Sequence, residues 1–94
     1  MRAPISHEKE QTGGIFYIEE EGRRLAEMTY SQAGADRIII NHTAVDPSLR
    51  GTGAGKDLVM NAVEYARNRH LKIIPLCRFA NAVFQRTPEI RDVL

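Results

Sequence analysis

The feature that most constrains this chain is a glycine-rich segment that joins a β-branched run to the one long amphipathic pattern. The run Arg37–Val45 predicts a strand, and residues 55–70 predict a helix. Between them, glycine occupies alternate positions from Gly51 to Gly55. A helix that follows a bare glycine loop offers free N–H groups and the positive end of its dipole to an anion. The segment is therefore predicted to be a cradle for a pyrophosphate.

Two nucleotide-binding motifs do not fit this loop. A Walker A loop has four residues between its glycines, whereas Gly51 and Gly55 enclose three, and Asp57 stands where that motif needs a hydroxyl. A dinucleotide fingerprint needs a further glycine where the chain has Lys56 or Leu58. An ordinary glycine-rich turn between a strand and a helix remains the structural alternative.

The remaining patterns predict an α/β (α+β mixed) fold. An antiparallel N-terminal meander is expected, followed by a β-α-β parallel unit and short C-terminal helices. The expected strands cover residues 5–10, 14–19, 24–31, 37–45 and 72–77, and the short helices cover 79–86 and 89–94, separated by Pro88. Because Pro75 lacks a ladder donor, the two parallel strands are expected to part near their C-terminal ends.

The apolar residues of the long helix recur on a single face. That face is expected to pack on the sheet as core. Its members are Leu58, Val59, Ala62, Val63 and Ala66.

Length and composition predict one domain, residues 1–94, with a modest core. A hydrophobic content of 43% with 27% charged residues is typical of a globular protein. No apolar stretch reaches membrane-spanning length, and the first residues lack a signal segment, so a cytoplasmic location is expected. The lone Cys77 fits a reducing compartment. A net charge of +1 favours neither a nucleic acid nor a membrane partner, and a monomer or weak homodimer is expected.

Several motifs together resemble the GNAT superfamily of N-acetyltransferases, in particular its small single-domain, YjdJ-like group. The loop has the pattern Arg-x-x-Gly-x-Gly of the acetyl-CoA loop in that superfamily. The segments that carry the resemblance are His42-Thr43-Ala44-Val45, Arg50-Gly51-Thr52-Gly53-Ala54-Gly55, Ile74-Pro75-Leu76-Cys77 and Arg86-Thr87-Pro88-Glu89.

The resemblance implies a GNAT-like mixed sheet with the cofactor acetyl-CoA lying between the parted strands. The cofactor-binding backbone would then belong to Arg50, Gly51, Thr52, Gly53, Ala54 and Gly55 for the pyrophosphate, and to Thr43, Ala44 and Val45 for the pantetheine and the thioester carbonyl. Arg78 and Asn81 are further candidates for contact with pantetheine or phosphate.

The chain departs from ordinary GNAT enzymes near its N-terminus. Those enzymes place two helices between the first strands, and residues 11–14 leave no room for them. The acceptor site is therefore expected to be shallow, or to be completed by a second chain or a protein substrate.

Two residues are candidates for catalysis. Histidine titrates at about pH 6.5, so His42 is the candidate base for the acceptor amine. Cys77 ends the neighbouring strand, so the pair could meet across the gap, and Cys77 could carry the acetyl group as a covalent intermediate. A hydrogen-bonded strand histidine and an inert buried cysteine are the structural alternatives. His7 and His70 are expected on the surface, and no metal site is expected because the spacing of ligands is wrong.

These observations favour an acetyl-CoA-dependent N-acetyltransferase that acts on an unidentified amine, either a small molecule or a protein. The alternative is a non-catalytic acyl-CoA-binding or regulatory module. A third reading is an interaction domain without a ligand.

Overall fold

The alternating and β-branched segments form a five-stranded mixed sheet in a computed structural model, which describes residues 4–94. The strands lie in sequence order: β1 (Ser6–Glu10), β2 (Gly13–Glu20), β3 (Arg23–Ala33), β4 (Arg37–Val45) and β5 (Lys72–Pro75). The first four strands are antiparallel, and β5 is parallel to β4. The predicted meander and parallel crossover are both confirmed.

Two α-helices and two short 3-10 segments complete the fold. They are α1 (Ala54–Arg69), α2 (Arg78–Arg86) and the 3-10 segments Pro47–Leu49 and Pro88–Val93. His70 caps the C-terminus of α1: its backbone is left-handed (φ 58°), and its N–H bonds to the carbonyls of Ala66 and Arg67. The helix predicted after Pro88 is a 3-10 segment, and it begins at that proline. No helix within residues 4–94 is both long and apolar enough to cross a membrane.

The core lies between the helices and one face of the sheet. All five residues of the predicted apolar stripe of α1 are buried. They pack on alternate residues of β3, namely Ala26, Met28 and Tyr30, which are buried as well. The intervening residues of β3, from Leu25 to Ser31, are only half-buried, because the described helices all pack on the other face of the sheet.

Strand β5 is shorter than predicted. It ends at Pro75 rather than at Cys77, since proline has no N–H for the ladder. One more backbone bond joins Cys77 N–H to Ile40 O at 3.2 Å. Leu76 is 68% exposed, so its predicted place in a buried strand is wrong. Strand β4 continues to Val45 without β5 beside it, and a gap opens there.

A β-bulge in β4 sets which side chains face this gap. Thr29 pairs with His42 and Tyr30 pairs with Ile40, so Asn41 is the extra residue on β4. The bulge resets the alternation of the strand just before its exposed end. Sequence patterns did not predict it.

His7 makes specific contacts even though it lies on the surface, as expected. Its ring stacks on Phe16 with centroids 4.2 Å apart, and its Nε2 lies 2.6 Å from the Tyr30 hydroxyl. Tyr65 meets the same ring edge-on at 4.8 Å. A Cβ at Gly14 would lie 2.5 Å from the Tyr30 hydroxyl oxygen, so this strand position has room only for glycine.

The contacts of His7 with Phe16, Tyr30 and Tyr65 predict that the protein loses stability in acid. Burial, and then the positive charges of Arg69 and Lys9, lower the pKa of His7. The unfolded chain therefore binds more protons than the native one as the pH falls through about 6.5 towards the lowered pKa, and stability is lost over that window. We expect the urea midpoint to fall between about pH 7 and about pH 5, and to fall less in His7→Gln. A pH dependence that persists unchanged in His7→Gln, but weakens in the control His70→Asn, would contradict this.

Candidate functional site

A cleft of about 620 Å³ opens where β4 and β5 part. Its walls come from the end of β4, the loop before α1, the first turn of α1 and one face of α2. The lining residues are Thr43, Val45, Leu49, Arg50, Gly51, Gly53, Ala54, Gly55, Lys56, Phe79, Val83, Arg86 and Thr87.

The glycine loop presents free backbone donors to this cleft. Gly51 and Gly53 have φ values of 79° and 83°, a left-handed conformation that favours glycine. The first helical bond of α1 runs from Asp57 N–H to Gly53 O at 2.9 Å. The N–H groups of Ala54, Gly55 and Lys56 therefore have no helical partner, and Gly53 has no side chain to cap them.

The loop is held by bonds within its own residues. Asp46 accepts bonds from Ser48 N–H at 2.9 Å and from the Ser48 hydroxyl at 2.6 Å, and these bonds lower the pKa of Asp46. The Thr52 hydroxyl donates to Leu49 O, and Leu49 N–H donates to Asp46 O at 2.9 Å. The free donors of α1 are consequently held in place before any ligand arrives.

Gly55 is required for a different reason from Gly51 and Gly53. Its backbone is not left-handed, but a Cβ there would lie 2.5 Å from Cζ of Phe79. The Phe79 ring, 41% exposed, lies flush on the first turn of α1 and forms part of the cleft wall. The third glycine therefore makes room for an aromatic ring of α2.

The cleft has a positive lining. Arg50, Lys56 and Arg86 contribute cations to it, and no carboxylate is among the lining residues of the described chain. In a partly enclosed cleft, positive charge and free N–H groups favour an anion with several negative charges.

Cys77 lies at the start of α2, beside the gap in the sheet. Its Sγ is 3.4 Å from Oγ1 of Thr43, which lines the cleft. Burial raises the pKa of the Cys77 thiol, but bonds from the Thr43 hydroxyl and from the N–H groups of Ala80 and Phe79 outweigh it, and the pKa lies below its ordinary value. The thiolate is thus favoured by a helix N-terminus and a hydroxyl.

His42 lies on the other face of the sheet. It pairs with the half-buried Thr29, whereas the next residue, Thr43, pairs with the buried Met28 on the helix face. His42 is exposed and is not among the residues that line the cleft. The thiol of Cys77 contacts Thr43 and not His42.

Comparison with known proteins decides the family. The sequence profile described as GCN5-related N-acetyl-transferase matches residues 15–93. This chain belongs to that family. A search of curated proteins found no match.

Solved structures agree with this acetyltransferase assignment. The chain is similar to a GCN5-like candidate N-acetyltransferase from Staphylococcus aureus, with 37% identity, a TM-score of 0.74, and coverage of 94% of this chain and 85% of that one. It shares its fold with the ribosomal-protein-S18-alanine N-acetyltransferase from Escherichia coli (17% identity, TM-score 0.68, 83% of this chain and 53% of that one).

A third structure is the N-acetylglutamate synthase from Neisseria gonorrhoeae, which was solved with coenzyme A and N-acetyl-glutamate. It is 22% identical, with a TM-score of 0.62, and the match covers 77% of this chain and 18% of that one. The family membership makes this chain an acetyltransferase, which favours the enzyme over the non-catalytic module.

The acetyltransferase places most of the predicted cofactor residues on its cleft. Those that line it are Thr43, Val45, Arg50, Gly51, Gly53, Ala54 and Gly55. Those that do not are Ala44, Thr52, Arg78 and Asn81. The side chain of Thr52 bonds within the loop instead, and Ala44 shares the outer face with His42.

The prediction of site residues missed one face of α2. Phe79, Val83, Arg86 and Thr87 all line the cleft of the acetyltransferase. They recur at positions i, i+4, i+7 and i+8, the spacing of a single helix face. That spacing was the signal from which the sequence could have indicated this face.

Proposed function

We propose that this acetyltransferase binds acetyl-CoA in the cleft and transfers its acetyl group to an amine, either of a small molecule or of a protein. One observation carries the donor assignment. The free N–H groups of the first turn of α1 and three cations line the same cleft. A diphosphate is an anion that such a set of donors can hold.

The shape of the sheet supports a position for the rest of the donor. Beyond Ile40, β4 has no neighbouring strand on the β5 side, so peptide groups of residues 41–45 have no strand partner on that edge, although the Thr43 N–H bonds to the Cys77 sulfur. Pantetheine contains two amides, which can bond to a free strand edge as an added strand does. With the diphosphate on residues 51–56, the thioester would lie between the ends of the two parallel strands.

Acetyl transfer to an amine then follows from simple chemistry. The amine nitrogen attacks the thioester carbon, the new C–N bond forms, and the C–S bond breaks. The proton leaves the nitrogen for a base, and the released CoA thiolate takes up a proton. The acceptor would approach from the outer face of the sheet, where β4 exposes His42. His42 is the proposed base for this step.

The Cys77 route is a second way to move the acetyl group. The Cys77 thiolate would attack the thioester carbon and displace the CoA thiolate, which takes up the proton that the Cys77 thiol lost. The amine would then attack the acetyl carbon, the bond to the Cys77 sulfur would break, and the amine proton would return to that sulfur. The lowered pKa of Cys77 favours this route. The separation of Cys77 from His42 on opposite faces of β4 favours direct transfer, because the base then serves the amine and not the thiol.

Replacing each residue separates the two routes. With labelled acetyl-CoA and a panel of primary amines and lysine peptides, we expect Cys77→Ala to keep the transfer rate within about threefold. We expect His42→Gln to lower kcat/KM about a hundredfold, because the amine then loses its proposed general base. His7→Gln serves as the control histidine and should leave the rate unchanged. An acetyl adduct on Cys77, found by mass spectrometry of the intact protein, would contradict direct transfer.

A further inference from the structure

Thr87 stands out because it is a buried polar residue whose hydroxyl has no hydrogen-bond partner within residues 4–94. It is 8% exposed, the one polar residue that is buried within residues 4–94, and it lines the cleft. Its backbone N–H reaches Phe84 O at 3.4 Å, but no bond to its hydroxyl is formed within the described chain. A buried hydroxyl without a partner destabilises a fold, so its position on a cleft wall indicates a contact with a ligand.

The neighbouring Arg86 is free to act on the same ligand. Arginines in the last turn of a helix often cap its carbonyls. Here Arg91 fills that role, because its Nε donates to Phe84 O at 2.9 Å and its Nη2 donates to Gln85 O. Arg86 forms no ion pair within residues 4–94, and it lines the cleft beside Thr87. Lys56 contributes a second cation from α1.

The distance between Phe79 and Arg86 along α2 indicates the length of a ligand that could contact both. Phe79 lies on Gly55, where the diphosphate is placed, and Arg86 follows seven residues later on the same face. At 1.5 Å per residue this is about 10 Å, the span of a nucleoside. The apolar Val83 lies between them. The cleft therefore has two anion-binding ends joined by an apolar wall.

We propose that Arg86 and Thr87, with Lys56, bind the 3′-phosphate of coenzyme A and make the cleft selective for the 3′-phosphorylated form. A phosphate monoester offers several acceptor oxygens and carries more charge than a diester. The guanidinium would donate to it in pairs, and the Thr87 hydroxyl would gain the partner that the protein does not supply. This inference rests on the proposed donor and adds the recognition of its nucleotide end.

Calorimetric titration with two probes, coenzyme A and 3′-dephospho-coenzyme A, tests the proposal. We expect the protein to bind coenzyme A at least about tenfold more tightly. Thr87→Val and Arg86→Gln should each reduce that preference severalfold, because they should lower the affinity for coenzyme A much more than the affinity for the dephospho form. In the absence of ligand, Thr87→Val should unfold at the same temperature or higher, because valine keeps the shape and removes an unpartnered hydroxyl.

The outcomes distinguish this inference from the function it rests on. Equal affinity for the two coenzymes in the unaltered protein would overturn the inference alone. So would an equal loss of affinity for both coenzymes in the two variants, or a lower unfolding temperature of Thr87→Val, which would reveal a structural partner for the hydroxyl. Failure to bind either coenzyme would overturn the proposed function and this inference together.

Discussion

Replacing Gly53 with glutamate is expected to lower the affinity for acetyl-CoA by about a hundredfold or more. Gly53 is the N-cap of α1, and a Cβ added to it would meet nothing within 4 Å, so the new side chain extends freely beside the unpaired N–H groups. Its carboxylate would occupy the position proposed for the diphosphate or would repel the diphosphate from it. Isothermal titration with acetyl-CoA measures the change.

Gly53→Gln is the matched control. Any side chain at this position is strained, since φ is 83°, and glutamine has the same size and the same strain as glutamate. The two variants should therefore unfold at similar temperatures, while only the glutamate variant adds a negative charge. Equal affinities of the two variants for acetyl-CoA would show that charge at the loop does not matter, and the diphosphate would have to lie elsewhere.

Truncating Phe84 to alanine is expected to cost about 3–5 kcal/mol of the free energy of unfolding. Phe84 is fully buried, with 0% exposure, among the core residues that α2 packs against α1 and the sheet. A chain of 94 residues has little stability to spare. We therefore expect the unfolding temperature to fall by about 12 °C or more, measured by circular dichroism.

The control for this prediction lies on the same helix. Phe79→Ala removes an identical side chain that is 41% exposed and rests on Gly55, and it should cost about 1 kcal/mol or less. If the two alanine variants lose the same stability, α2 does not pack as described.

Most of the fold could be predicted from local sequence patterns, because each apolar pattern leaves only one face of its helix or strand to be buried. The stripe of α1 has a single apolar face, and the alternation of β3 has a single buried side. Pro75 could be placed near the parting of β4 and β5 because a proline cannot donate to the ladder. The length of β5 was overestimated, since the apolar Leu76 continued its pattern although it is exposed.

The details of the site depended on tertiary contacts that no local pattern encodes. The bulge at Asn41 decides that Thr43 faces the cleft and that His42 does not, yet the sequence of β4 is uniformly strand-like. Gly55 was expected to admit a phosphate, and the sequence did not show that its bare backbone also makes room for Phe79, which is distant in sequence. The role of Thr87 rests on the absence of a hydrogen-bond partner within the described chain, which only a three-dimensional structure can show.

The outer face of the sheet bears on the acceptor. Ordinary members of the superfamily, as the sequence resemblance implies, place two helices between their first strands. Here β1 and β2 are joined by a tight turn between Glu10 and Gly13. The described helices leave the face that carries His42 open. The lysine peptides and the primary amines of the acceptor panel test whether the acceptor is a protein or a small molecule.

The central claim is that backbone N–H groups at the start of α1 hold the diphosphate of acetyl-CoA. An NMR titration of the ¹⁵N-labelled protein with acetyl-CoA observes those groups directly. We predict that the amide signals of residues 51–56 shift most, together with those of residues 43–45 on the free edge of β4. Unmoved signals at residues 51–56, with the largest shifts elsewhere in the sheet, would contradict the account.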